Sequence, residues 1–339
     1  MLIVLKEKKN TALISHLQKL IADKFGCASH MIGNNERVMA VTGDTSVIDV
    51  ELLKNIDGVK SVDRVDRPYK LATREKKNRT EIIVRPDCVI GAPDTVVIMA
   101  GPCSIDDEHI LDETAAMVKA KGVKILRGGA YKPRTGPYSF QGHGEMALKL
   151  MKKAGQKYDM ATISEIKNLN DIALFEEYVD IIQIGARNMQ NYDLLKVLGT
   201  SKKPVMLKRG LAATLEEWLL AAEYILAGGN PNVILCERGI RTFEEEVRFT
   251  LALGSVPALR ELTHLPIIVD PSHAMGKTRW VKDAALGGVA VGADGLIIEV
   301  HPRPEESRCD SAQLLDQEHW DDCMTSITKV AHAIGKVVV

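Results

Sequence analysis

The sequence predicts an α/β fold: a (β/α)8 TIM barrel preceded by a small ferredoxin-like α+β domain. Three observations carry that expectation. Eight short apolar, β-branched runs recur after Asp94: TVVIMAG, VKILRGG, MATISE, DIIQIGA, PVMLKRG, NVILCERG, PIIVDPSH and GLIIEVH. Helical patterns lie between them, and apolar runs of this kind read as parallel strands buried on both faces. Eight such units in one chain suit a closed barrel, with a doubly wound sheet as the runner-up. Before them, roughly the first 68 residues carry a different order of elements.

In that first stretch, MLIVLK reads as a strand and NTALISHLQKLIADKF as an amphipathic helix, because its apolar residues recur at helical spacing. A strand near Cys27–Ile32, the strand ERVMAVTG, a short helix near 48–56 and the strand VKSVDRV complete a β-α-β-β-α-β series. His16 sits on the helix and reads as structural. Residues 1–68 are therefore assigned to the ferredoxin-like domain. Residues 69–93 are assigned to a polar, basic linker (YKLATREKKNRT) and a hairpin (EIIVRPDCVIGAPD), and 94–339 to the barrel. Among the barrel helices, EEWLLAAEYILAGG ends on a Gly stop, and TFEEEVRFTLALG reads as a helix started by Thr242. The tail after Leu314 reads as one helix ending in VVV.

Composition narrows the function classes. The chain has 339 residues, 45% of them hydrophobic, and a net charge of -1, so no whole-protein field favours nucleic acid or an anionic membrane. No apolar run approaches the ~18 residues of a membrane helix. The N-terminus has its apolar residues ahead of its positive ones, the reverse of a secretory signal. Six cysteines without CxxC spacing read as reduced thiols in a cytoplasmic protein. Walker-A, GxGxxG and GxSxG patterns are missing, so neither nucleotide binding nor a serine hydrolase is indicated.

The chemistry concentrates where the strands end. In order these ends offer Cys103; Arg127, with Lys132 and Arg134 beyond it; Glu165; Arg187; Lys208; Glu237 and Arg238; Asp270 and His273; and Glu299. A barrel gathers such ends on one face, where active sites lie. Cys103, His273, Glu299 and Asp310 form a thiol, imidazole and carboxylate set suited to a divalent transition metal. Arg127, Lys132, Arg134, Arg187, Lys208 and Arg238 ask for phosphate and carboxylate ligands. A metal beside such a pocket suggests Lewis-acid activation of a carbonyl or phosphoryl oxygen. Taken singly, each is more often a surface arginine, a buried thiol or a structural histidine. Cys236, inside its strand, reads as core, and His143 and His301 stay outside the candidate set.

Taken together, GPCS, LRGGAYKPRTGPYSFQG, QIGARN, MLKRG, ILCERG, VDPSH and IIEVHP resemble 3-deoxy-D-arabino-heptulosonate 7-phosphate (DAHP) synthase. The similarity is to the short type with an N-terminal ferredoxin-like regulatory domain, and it runs along essentially the whole chain. KPRT discriminates, since 3-deoxy-D-manno-octulosonate 8-phosphate synthase, the alternative using arabinose 5-phosphate, typically has a KANR-type stretch there.

The resemblance implies a transferase of the shikimate pathway that condenses phosphoenolpyruvate with erythrose 4-phosphate. It implies a divalent ion of the Mn, Fe, Co, Zn or Cd class on Cys103, His273, Glu299 and Asp310. Arg127, Lys132, Arg187, Lys208 and Arg238 would hold phosphoenolpyruvate; Arg134 and Thr135 would hold the aldose phosphate. Lys132, Glu165 and Asp270 are the catalytic candidates. The N-terminal domain would bind tyrosine or phenylalanine as inhibitor in a homotetramer. A non-enzymatic amino-acid sensor on a dead barrel is the reading from another class, and the intact ligand set argues against it. One departure is Cys309, directly before Asp310, where a small non-thiol residue is expected; it raises the idea of a Cys103–Cys309 disulfide in metal-free protein. Loss of activity in air at the wild-type rate by metal-free Cys309→Ser protein would sink that idea.

Overall fold

The computed structural model describes residues 1–7, 10–32, 37–64, 67–134 and 136–339. Met1–Thr73 and Arg74–Val339 form two compact units.

The first unit is a four-stranded antiparallel sheet of β1 (Leu2–Leu5), β2 (Ala28–Ile32), β3 (Val38–Thr42) and β4 (Val59–Asp63), in the order β2-β3-β1-β4. Helices α1 (Thr11–Phe25) and α2 (Val50–Lys54) complete it. Asn10 caps α1 by accepting from Leu13 N at 3.1 Å, and Gly26 ends it at φ 63°, a left-handed position natural to glycine. Leu17 and Ile21, one helical turn apart, are the residues α1 buries, in a cluster with Ile3, Met39, Val41 and Leu53. This is the expected ferredoxin-like order.

The second unit opens on a hairpin of β5 (Ile82–Arg85) and β6 (Cys88–Ile90). Eight parallel strands follow: β7 (Thr95–Gly101), β8 (Ile125–Arg127), β9 (Ala161–Ile166), β10 (Ile181–Ile184), β11 (Val205–Lys208), β12 (Val233–Glu237), β13 (Ile267–Val269) and β14 (Gly295–Glu299). Each pairs with the next, and β14 pairs with β7 from Gly295↔Val97 to Glu299↔Gly101, which closes the barrel. All eight apolar runs are strands of this ring. The helices are α3 (Glu108–Lys119), α4 (Glu145–Lys157), α5 (Ile172–Tyr178), α6 (Tyr192–Leu198), α7 (Leu215–Ala227), α8 (Ser255–Leu262), α9 (Pro271–Met275), α10 (Thr278–Ala290) and α11 (Gln317–Ala333). Helix α7 starts on a Thr214–Glu217 capping box. The terminal valines add β15 (Val337–Val338) beside β7 instead of ending loose.

The hairpin fills one end of the barrel. Ile82, Cys88 and Ile90 are buried against Val97, Ile125, Ile181 and Met206, which sit early in their strands. Burying an isoleucine contributes about 1.5–3 kcal/mol, so this plug is a stable floor.

Two readings are corrected. The end of the presumed solvated linker is strapped to the barrel: Arg79 pairs with buried Asp294, and Thr80 N donates to His264 O at 2.7 Å. The predicted helix TFEEEVRFTLALG is not helical; the helix there is α8, beginning at Ser255. Its backbone bonds go sideways instead: Phe249 N to Ala274 O at 2.8 Å and Thr250 N to Ile240 O at 3.0 Å. Residues 241–246 are all exposed, so the apolar spacing has no core to face, and a short helix without burial is marginal.

Candidate active site

The barrel rim opposite the hairpin collects the residues that end its strands. Arg127 closes β8, Lys208 closes β11, Glu299 closes β14, and Glu165 is next to last in β9. Arg187 lies in a short 3-10 turn, Ala186–Asn188, just after β10. Asp270 follows β13 and caps α9, accepting from His273 N at 3.0 Å, which fixes the helix turn that carries His273. Asp310 lies in the loop after β14 at φ 52°, an uncommon left-handed position for a non-glycine residue.

Cys103, Glu299 and Asp310 offer ligand atoms that all lie within 4.8 Å of one another. The Cys103 sulfur is 3.7 Å from Asp310 Oδ2. His273 stands outside that group of three and reaches it through Glu299, with Nε2 3.4 Å from Glu299 Oε1. Donors bonded to one small ion at about 2.0–2.3 Å must themselves lie a few ångströms apart, as these do. A thiol, an imidazole and two carboxylates fit a borderline divalent ion. Burial pushes the Cys103 thiol up, and the neighbouring Cys309 and Glu299 add to it, outweighing the pull of Lys132 toward the thiolate. Burial would also raise Glu299, but His273, Arg127 and Lys132 outweigh it and hold that carboxyl well below the usual range. Burial lowers His273 and so favours the neutral ring, the form that can donate a lone pair.

Groups around these donors fix them. Arg127 Nη1 donates to Glu299 Oε1 at 2.6 Å and to Pro102 O at 2.9 Å. Lys132 Nζ donates to Cys103 O at 3.0 Å and lies 3.0 Å from the Cys103 sulfur. Asp270, 1% exposed, accepts from Lys208 Nζ at 2.5 Å and lies 2.8 Å from His273 Nδ1. It therefore holds the Lys208 cation directly and, through the backbone of His273, the helix turn that carries the imidazole. Burial opposes its charge, yet His273 and Lys208 hold it ionised.

Beside the donors lies a cavity of about 250 Å3. Among the described residues its lining carries Lys132, Arg134, Arg187, Lys208, Arg238 and Arg248 against two carboxylates, Glu165 and Asp310, with His273 at its metal-side wall. Glu165 accepts from Gln183 Nε2 at 3.0 Å, and Gly185 leaves its carboxylate room, since an added Cβ would overlap Glu165 Oε1. Arg238 stacks on Phe249, guanidinium to ring centre 4.1 Å, and burial lowers its proton affinity.

Of the sequence-derived candidates, Cys103, Lys132, Arg134, Glu165, Arg187, Lys208, Arg238, Asp270, His273, Glu299 and Asp310 come together in the donor cluster, on the cavity wall or directly behind it. Arg127 faces Glu299 and does not line the cavity. Thr135 lies outside the described residues. Glu237, at the end of β12, turns away into a closed network with Arg209 Nη1 at 2.7 Å, Ser255 Oγ at 3.0 Å and Gly239 N at 2.8 Å. Cys236 is core, as read. All six cysteines are free; the sulfurs of Cys103 and Cys309 lie 2.7 Å apart. Arg248, Phe249 and Gln313 were not picked out from sequence: the first two sat in the presumed helix, and no strand end marks the third.

Residues 70–334 match the model of the DAHP synthetase I family. A phospho-2-dehydro-3-deoxyheptonate aldolase of Thermotoga maritima is 45% identical over 336 residues, covering 99% of both chains. A crystal structure of phospho-2-dehydro-3-deoxyheptonate aldolase (DAHP synthase) from Thermotoga maritima superposes with a TM-score of 0.80 at 44% identity, covering 100% of this chain and 99% of that one. A 2-dehydro-3-deoxyphosphooctonate aldolase of Desulfosudis oleivorans is much further away, 24% identical over 75% of this chain and 97% of its own. The chain belongs to the DAHP synthetase I family.

Proposed function

We propose that the chain, a DAHP synthase by family, condenses phosphoenolpyruvate with erythrose 4-phosphate on this rim, with a divalent ion held by Cys103, His273, Glu299 and Asp310. The observation that carries the reading is the cavity itself: six cationic side chains against two carboxylates, next to a donor cluster. Cations in such excess attract a polyanion and orient it.

In this reading Arg187, Lys208 and Arg238 bind phosphoenolpyruvate, with Arg127 steadying Glu299 behind it. Arg134, on the cavity wall, takes the phosphate of the aldose, with Thr135 as its assigned partner. C3 of phosphoenolpyruvate attacks the aldehyde carbon, water adds at C2, and phosphate leaves with C–O cleavage. A bound divalent ion would supply Lewis-acid polarisation of the aldehyde oxygen. Burial would lower Lys132, but the charges of Cys103, Cys309 and Glu299 raise it well above its ordinary value. Lys132 is therefore protonated, and its place on the cavity wall beside the donors is what assigns it delivery of a proton to the nascent alkoxide. Glu165, braced by Gln183, positions the water, and Asp270 acts through Lys208 and His273 as a positioning residue.

The N-terminal unit is the site of tyrosine or phenylalanine inhibition in this reading, within a homotetramer. The ferredoxin-like sheet, in a compact unit of its own, supports it. Among the described residues no helix is long and apolar enough to cross a membrane, and all six cysteines are free, which supports a cytoplasmic enzyme.

Phosphate release from phosphoenolpyruvate, measured with each aldose phosphate before and after chelation, tests the function. Turnover with erythrose 4-phosphate that chelation abolishes and a divalent ion restores is expected. Faster turnover with arabinose 5-phosphate would move the chain to the octulosonate reaction.

A further inference from the structure

Gln313 is buried, 2% exposed, in a short 3-10 turn, Ser311–Gln313, directly after Asp310. Its Nε2 donates to Glu299 Oε2, and its Oε1 accepts from Arg248 Nη1 at 2.7 Å. The amide orientation follows from its neighbours: a carboxylate can only accept and a guanidinium can only donate. A side chain facing both needs one donor and one acceptor at its tip, which an amide supplies without adding charge. A glutamate here would repel Glu299, and a lysine would repel Arg248.

Both partners are tied to the site. Glu299 has Oε1 held by Arg127 at 2.6 Å, so Gln313 on Oε2 completes the fixing of that carboxylate. Arg248 lines the cavity with Lys208 and Arg238, and its Nη1 lies 3.5 Å from Asp310 Oδ2. One neutral side chain therefore spans the donor cluster and the anion cavity.

We propose that Gln313 is a positioning residue that sets Glu299 for the divalent ion and Arg248 for phosphoenolpyruvate, so that the two binding events share one support. This rests on the reading of the rim as the site of both. Arg248 is then a further anion-contacting cation, and Gln313 acts only through its two partners. Groups that orient a metal ligand typically carry about 10–100-fold in metal affinity, and linkage makes any coupling between the two ligands reciprocal.

The test uses full-length protein and two probes without turnover: Mn2+ alone by equilibrium dialysis, and phosphoenolpyruvate alone by calorimetry. Gln313→Met keeps the volume and removes both contacts; it is expected to weaken Mn2+ by about 10–100-fold and to weaken phosphoenolpyruvate as well. Gln313→Asn, one methylene shorter, can reach at most one partner and is the variant to read if the first does not fold. Its Mn2+ or its phosphoenolpyruvate affinity should fall. Arg248→Met should weaken phosphoenolpyruvate at least about tenfold, the scale of a lost charged hydrogen bond, and weaken Mn2+ much less than Gln313→Met does, since Glu299 keeps its Gln313 contact. A merely structural residue would not produce that split. Wild-type affinities for both probes in the folded Gln313 variants, or an Arg248→Met protein that loses Mn2+ as severely as Gln313→Met, would overturn the bridge and leave the rim site standing. A wild-type protein that takes up no Mn2+ would overturn both.

Discussion

The two ends of the barrel both bury charge, and they treat it in opposite ways. At the hairpin end, Asp294 is 1% exposed and is met by two arginines, Arg79 and Arg260, while its Oδ2 accepts from Ile267 N at 2.8 Å. The Arg209–Glu237 pair is closed in the same way even though it sits near the rim. The cavity at the rim instead faces six cations with two carboxylates. Buried charge normally demands a partner. Asp294 and Glu237 meet their partners within the protein and are structural; at the rim Lys208 has Asp270 and Arg248 has Asp310, yet cations still outnumber carboxylates around the cavity, and an anionic ligand can balance that excess. Two arginines share one carboxylate at the hairpin end, and six cations share two around the cavity, so the larger excess lies at the rim.

The comparison is broken most severely by substitutions at the rim. Lys132→Ala should lower kcat by about 10²–10⁴-fold, the range of general acid catalysis, with a much smaller change in phosphoenolpyruvate affinity. Steady-state rates beside direct binding check it, and equal loss of both would reduce Lys132 to a binding residue. Gly185→Ala adds only a methyl, but it forces Glu165 aside; a rate loss of up to about 10²-fold with an unchanged melting temperature is expected. At the other end the pattern should invert. Asp294→Ala leaves two arginines without their carboxylate. It should cost somewhat less than the ~3–5 kcal/mol of breaking a fully buried pair, because Arg79 and Arg260 are 28% and 26% exposed. Denaturant unfolding would show that loss, while kcat of the folded protein should hold. The smallest effect on turnover is expected from removing residues 1–68: phosphate release should persist, and inhibition by tyrosine or phenylalanine should vanish. Inhibition that survives truncation would take the regulatory role away from that unit.

Much of this was legible in the sequence because the barrel writes its core and its site in the same segments. Apolar runs such as PVMLKRG and NVILCERG show a strand, and the charge that follows shows which end faces ligand. Loops lack such periodicity. The stretch around Arg248 has helical apolar spacing, yet its backbone pairs with Ala274 and Ile240, which no local pattern could reveal. Gln313 is an uncharged residue in a turn, and only its two long-range partners mark it. Glu237 failed for the opposite reason: it ends a strand like its neighbours, but Arg209, one residue beyond β11, comes around to neutralise it.

The most direct measurement is a Co2+ titration followed through the sulfur-to-cobalt charge-transfer band. One ion per chain is expected, with a band that disappears in Cys103→Ser protein and persists in Cys236→Ser protein, whose thiol lies in the apolar core. A band that survives intact in the Cys103→Ser variant would contradict the ligand set, and with it the assignment of this rim as a metal-assisted condensation site.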